Sequence, residues 1–137
     1  MKFTESTEND IEQLSSWIKN DSYHKDCLNP YWWLTGNGLL SYCLQDNKGP
    51  AMYVRLDKEN ELLRLHTQFA PESEVSKLRV VKSILWAFPK MEFIALKNGL
   101  KGIIFKSSSS LLINFMKTKF GFVATSDDDY QMLFEVD

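Results

Sequence analysis

Apolar positions recur along the chain with two different periods, and the switches between them mark out the elements. After a short opening strand over residues 2–4, Thr7 and Asp10 stand at the spacing of a capping box, and Ile11, Leu14, Trp17 and Ile18 follow at helical spacing. Residues 20–30 are polar and rich in breakers, which predicts a turn and a short second helix. Tyr31, Trp32 and Trp33 then form a dense aromatic cluster ahead of Gly36-Asn37-Gly38. Residues 39–45, 52–57 and 62–69 read as three strands, the first two joined through Asp46-Asn47-Lys48-Gly49 and the next turn falling on Asp57-Lys58-Glu59-Asn60. In the third strand Leu63, Leu65, Thr67 and Phe69 alternate with Arg64, His66 and Gln68, which assigns the two sets to opposite faces.

The period then lengthens again. Pro71 suits the first turn of a helix whose apolar stripe is Val75, Leu78, Val81, Leu85 and Phe88. Pro89 is expected to kink or end it, residues 91–98 to resume as a short helix, and Gly99 to cap that helix. Residues 102–105 are apolar throughout, as a buried central strand requires. A serine run over 107–110 leads into a helix over 111–120, then Gly121-Phe122 and a closing strand over 130–136. The whole reads as a mixed sheet flanked by helices, in an α/β domain spanning residues 1–137.

Composition narrows the class without naming a function. At 137 residues, 44% hydrophobic and 25% charged, the chain can bury one ordinary core. Its 16 basic and 18 acidic residues are well mixed, which argues against a nucleic-acid partner, since phosphate neutralisation needs a concentrated basic face. The two cysteines, Cys27 and Cys43, lack the spacing of a disulfide framework or a zinc site. The polar amino terminus carries no signal-peptide pattern, and no apolar run approaches the ~20 residues of a spanning helix. The expectation is a cytoplasmic protein with no metal and no membrane association.

The strand, serine turn, helix, Gly-Phe and strand of the last third resemble the closing half of the GNAT (N-acetyltransferase) fold, and the order of elements before it is similar to the rest of that fold. The resemblance implies a mixed, mostly antiparallel sheet flanked by helices, with acetyl-CoA as substrate. In that family a Q/R-x-x-G-x-G/A loop and the following helix start hold the donor's pyrophosphate, because glycine permits close approach and a helix amino terminus attracts anions. The equivalent stretch here, residues 68–79, contains no glycine, and Glu72 and Glu74 place carboxylates near the phosphate position. Acidic residues in a first turn are equally good helix electrostatics. By this resemblance Gln68, Phe69, Ser73, Ser76, Lys77 and Arg79 are the candidate donor-binding residues, joined by Asn114 on the last helix.

Two further departures bear on chemistry. Many members place a tyrosine on the last helix to protonate the leaving thiolate. Here Phe115 or Met116 occupies the nearest position, and neither can donate a proton. Ser108, Ser109 and Ser110 read as helix caps rather than nucleophiles. A base for the acceptor amine is sought on the third strand, where the resemblance gives His66 and Glu61; a histidine titrates near neutrality, and a lone one on a polar strand face is also an ordinary surface residue. His24, in a polar loop, is a weaker candidate. Of Tyr31, Trp32 and Trp33, one tryptophan is expected in the core and the other partly exposed, at a pocket or an interface. Asp127-Asp128-Asp129 reads as a solvated loop, without the spaced ligands and glycine of a hard-cation site.

Two functions stay open on these residues. One is an atypical acyl-CoA-dependent N-acyltransferase acting on a small-molecule or protein amine acceptor. The other is a catalytically inactive GNAT-like module that binds a protein partner, of the kind that small phage or mobile-element proteins resemble, with a virion or host-interaction role.

Overall fold

The computed structural model describes residues 1–21, 29–34, 40–71, 75–107, 109–125 and 128–134. Within these, β1 (Lys2–Glu5) leads through a 3-10 turn at Glu8–Asp10 into α1 (Ile11–Lys19), and a second 3-10 segment spans Pro30–Leu34. Three long strands follow, β2 (Leu40–Asp46), β3 (Gly49–Glu59) and β4 (Leu62–Phe69), then α2 (Lys77–Lys97), β5 (Gly102–Lys106), α3 (Ser110–Phe120), β6 (Val123–Ala124) and β7 (Asp129–Leu133). The seven strands form one sheet in the order β1-β2-β3-β4-β5-β7-β6. Every neighbouring pair is antiparallel except β4 and β5, which the α2 crossover makes parallel. This is the mixed, mostly antiparallel α/β arrangement expected from the sequence.

Each face of the sheet buries its own cluster. One holds Met52, Val54, Leu56, Leu63, Leu65, Ile103 and Phe105 against Ile84, Phe88 and Met91 of α2 and Met116 of α3. The other holds Cys43, Ala51 and Tyr53 against Leu14, Trp17 and Ile18 of α1 and Trp33 of the 3-10 segment. The amino-terminal capping box forms as the sequence predicts, with Thr7 Oγ1 accepting from Asn9 N–H at 3.2 Å and Asp10 Oδ2 accepting from Thr7 N–H at 2.8 Å. The predicted short second helix lies largely in residues 22–28, outside the described residues.

The long helix departs from the sequence reading in two ways. It starts at the Ser76 cap rather than at Pro71, and it runs through Pro89 without ending. Its buried stripe is Ser83, Ile84, Ala87, Phe88, Met91 and Ala95, so Leu78 and Leu85 face solvent. A mid-helix proline costs about 3 kcal/mol. Burying Met91 and Ala95 beyond it recovers a comparable amount, at about 1.5–3 kcal/mol for a large apolar side chain. Pro89 is itself exposed, so the Leu85 carbonyl left without its usual donor lies on the side open to water.

Two glycines are required by geometry. Gly121 ends α3 in the left-handed region (φ 76°) and turns the chain so that Phe122 inserts, 2% exposed, edge-on to Phe105 and Phe88. Gly102 opens β5 so close to β7 that an added Cβ would stand 2.2 Å from the Met132 carbonyl oxygen and 3.0 Å from Leu133 Cα. Both obstacles are backbone and cannot rotate away. Gly102→Ala is therefore expected to destabilise the domain by about 1–3 kcal/mol, the usual range for overpacking, in a urea-unfolding measurement. Parental stability would show that β5 and β7 separate freely.

Candidate active site

β3 pairs with β4 from Glu59↔Leu62 to Met52↔Phe69, but β5 pairs with β4 only from Leu62↔Gly102 to Leu65↔Phe105. On its β5 side, β4 from His66 to Phe69 is thus left without a strand partner among the described residues, and the sheet forks there. On the α2/α3 side of the fork lies a cavity of about 20 Å³ bounded by Met52, Leu65, Thr67, Met91, Phe105 and Met116. That volume holds about one water molecule. His66 is the first β4 residue past the last paired position, on the opposite face, across from Arg55 in β3.

The imidazole of His66 is held on two sides. Its Nε2 lies 3.0 Å from Asp57 Oδ2, and the ring of Trp32 meets it edge-on at 4.8 Å. A carboxylate accepts and cannot donate, so that approach favours the neutral tautomer with the proton on Nε2 and the lone pair on Nδ1. Nδ1 has no hydrogen-bond partner among the described residues. Burial holds the imidazole below its ordinary value, with Arg64 and Arg55 acting in the same direction and Asp57 opposing them. At neutral pH the ring is therefore a neutral base, with the side chain still 33% exposed.

The other predicted site residues lie elsewhere in the fold. Glu61 sits in the β3–β4 turn, exposed and 3.1 Å from Lys101. Five residues of extended strand, about 16 Å, separate it from His66, so the two are not brought together. Gln68 is fully buried on the His66 face, its Nε2 donating to Asp21 Oδ2 at 2.8 Å and to the Phe69 carbonyl at 3.2 Å. Phe69 is half-buried against the α2-side core. Ser76 caps α2, its Oγ accepting from Arg79 N–H at 3.2 Å, and Lys77 is exposed in the first turn. Arg79 is drawn back to the β2–β3 hairpin, where Asp46 binds it through both oxygens at 2.7 Å and the Gly49 carbonyl at 3.1 Å. That guanidinium holds the Asp46 carboxyl below the usual carboxylate range. Asn114 is exposed on α3. Ser73 and His24 lie outside the described residues.

Several chemistries find no support in this arrangement. Cys43 is a buried thiol pushed up to about 11 by burial, so it is no thiolate nucleophile at neutral pH. Among the described residues no group of three or more His, Cys, Asp or Glu is placed to hold a metal ion. No helix among them is long and apolar enough to cross a membrane.

No protein-family model and no curated protein sequence matches the chain. Solved structures do match. A GNAT-family acetyltransferase from Staphylococcus aureus superposes with a TM-score of 0.68 at 15% identity, covering 98% of this chain and 99% of that one. A GNAT-family acetyltransferase from Brucella melitensis in complex with acetyl-CoA gives 0.61 at 13% identity, over 99% and 89%. AAC(6')-Ib, in complex with ribostamycin and coenzyme A, gives 0.61 at 15% identity, over 95% and 90%. The fold is thus the GNAT fold along nearly the whole chain.

With the turn expected at Asp57-Lys58-Glu59-Asn60, the sequence pattern sets neither Asp57 nor Arg55 beside His66. β3 runs on to Glu59 and the turn is Asn60-Glu61, with Asn60 in the left-handed region (φ 56°). Counting back from an asparagine-centred two-residue turn sets Arg55 opposite His66 and Asp57 opposite Arg64, which was the available signal. Asp129 is likewise expected in a solvated loop. It lies in β7 and binds Arg64 at 2.7 Å, while Glu59 holds the same guanidinium at 2.6 Å.

Proposed function

We propose that the protein transfers an acetyl group from acetyl-CoA to an amine, with His66 as the base. The observation that carries this reading is the position of His66: first residue past the β4–β5 pairing, Nε2 tied to Asp57, Nδ1 unpartnered. A base so placed takes the proton of an incoming amine as its nitrogen attacks the thioester carbonyl. The N–C bond forms, the C–S bond breaks, and the thiolate leaves to be protonated by solvent, since Phe115 and Met116 stand where a tyrosine acid would be expected. The free β4 edge offers backbone groups to an extended donor arm. The start of α2 offers the Lys77 and Leu78 N–H groups, which lie too early in the helix for an intrahelical acceptor, and the Lys77 ammonium to phosphate. Room for the arm must come from movement of Met52, Met91 and Met116, whose unbranched thioether chains repack readily.

The cavity also favours a second reading. A one-water space beside the fork, with Arg79 already committed to Asp46, fits a protein that keeps the fold and binds a partner instead, with Tyr31 (53% exposed) as the presented ring.

Calorimetric titration with acetyl-CoA separates the two. The transferase reading predicts binding that weakens with salt and with Lys77→Glu. Lys77 is the residue to reverse because Arg79→Glu would also break the Asp46 pair. No heat at millimolar acetyl-CoA in the parent protein would leave the binding module as the function.

A further inference from the structure

We propose that Arg55 is the positioning residue of this site, fixing Asp57 and the aromatic segment Pro30–Leu34 as one unit around His66. The inference rests on His66 being the base. Arg55 is 6% exposed in the middle of β3, where an arginine is costly unless every part of it is engaged. Each part is. Its Nε faces both carboxylate oxygens of Asp57, at 3.2 and 3.1 Å. Its Nη1 donates to the Trp32 carbonyl, and its guanidinium carbon lies 4.1 Å from the centre of the Trp32 ring. Asp57 Oδ2 is thereby shared between Arg55 Nε and His66 Nε2.

Arg55 does not itself contact the reacting atoms. It determines which way the Asp57 carboxylate points, and hence which ring nitrogen of His66 is left as the base. The same side chain sets the wall of the niche, because the Trp32 ring that meets His66 edge-on is the one stacked on Arg55. A lysine keeps the charge but has no planar fork and cannot bind carboxylate, carbonyl and ring together. The charged groups that face His66 are Asp57 and Arg55 from β3 and Arg64 from its own strand, and the 3-10 segment contributes the neutral Trp32 ring.

Arg55→Lys, read by nitrogen NMR of the His66 imidazole, tests the assignment. In the parent protein one tautomer with the proton on Nε2 is expected; in Arg55→Lys, a mixture of the two tautomers. With an amine acceptor, kcat should fall by up to about 100-fold with the KM for acetyl-CoA unchanged, the pattern of a base displaced rather than a donor lost. Asp57→Asn should have a similar effect, and the double variant should add little to either single change. A single Nε2–H tautomer persisting in a folded Arg55→Lys protein overturns the proposal. If Arg55→Lys does not fold, the parent carries the test. Its Arg55 Nε–H signal should exchange slowly and shift with the same pH midpoint as His66, and a signal that ignores His66 titration overturns the proposal equally. The tautomer reading needs no turnover, so a parent that transfers no acetyl group would sink the proposed function without touching this result.

Discussion

His66→Gln is expected to lower acetyl transfer about 10²–10⁴-fold while leaving acetyl-CoA affinity unchanged, the range typical of removing a general base. Glutamine can keep a hydrogen bond to Asp57 but cannot take a proton, so the substitution isolates the chemistry from the packing. The pH profile gives a second reading of the same residue. An unperturbed imidazole titrates near 6.5. His66 is held below that by burial first, then by Arg64 and Arg55, against the opposing pull of Asp57. The basic form is thus present above the lowered value and lost as pH falls through it. With an acceptor whose own ionisation has been measured separately, the parent rate should hold as pH passes down through 6.5 and decline only below. The His66→Gln profile should lack that limb. A variant with the parental rate, or one retaining the same acid limb, would remove His66 from the reaction.

Trp33→Ala should destabilise the domain by about 3–5 kcal/mol, the usual loss for deleting a buried large aromatic. Trp33 is 4% exposed and belongs to the cluster of Leu14, Trp17, Cys43 and Tyr53 that seals α1 and the 3-10 segment onto the sheet. Its Nε1 is buried without a hydrogen-bond partner among the described residues, so Trp33→Phe removes that donor along with part of the ring and should cost much less. Trp32→Ala should also cost less, since that ring is half-buried, and its main consequence should appear in the His66 signals. Urea unfolding of the three variants checks the ranking. A Trp33→Ala protein as stable as the parent would mean that the segment is merely laid on the sheet. The expected division of one core tryptophan and one partly exposed tryptophan is the one observed.

The fold was legible because its signals are local and repeated. Alternation in β4, the unbroken apolar run of β5 and the Gly121-Phe122 corner each fix an element within a few residues. The α2 stripe differs from the expected one for a physical reason. A kink or end at Pro89 sets Met91 and Ala95 apart from the stripe, yet their burial shows that it runs through Ile84 and Phe88 rather than Leu78 and Leu85. The site was legible in one residue. His66 stands out by type, but its partners are defined by register across a hairpin, and a turn expected at Asp57-Lys58-Glu59-Asn60 rather than at Asn60-Glu61 hides that Arg55 stands opposite His66. Arg79 shows the converse, since its position near a helix start pointed to phosphate, whereas its partner Asp46 is brought to it by a hairpin distant in sequence.

The fork has a meaning for how the chain assembles. Strands β1 to β4 are each paired with the neighbour that precedes or follows them in sequence, while β5, β7 and β6 form a separate block. Only four residue pairs, Leu62↔Gly102 to Leu65↔Phe105, join the two blocks within the sheet. The β2–β3 and β3–β4 hairpins close short loops. Joining β4 to β5 requires the chain to travel out along all of α2 and back. Loop-closure entropy therefore weighs on that seam far more than on the hairpins, as it does on the equally distant β1–β2 pair, and the seam between the two blocks is the one that borders the candidate site.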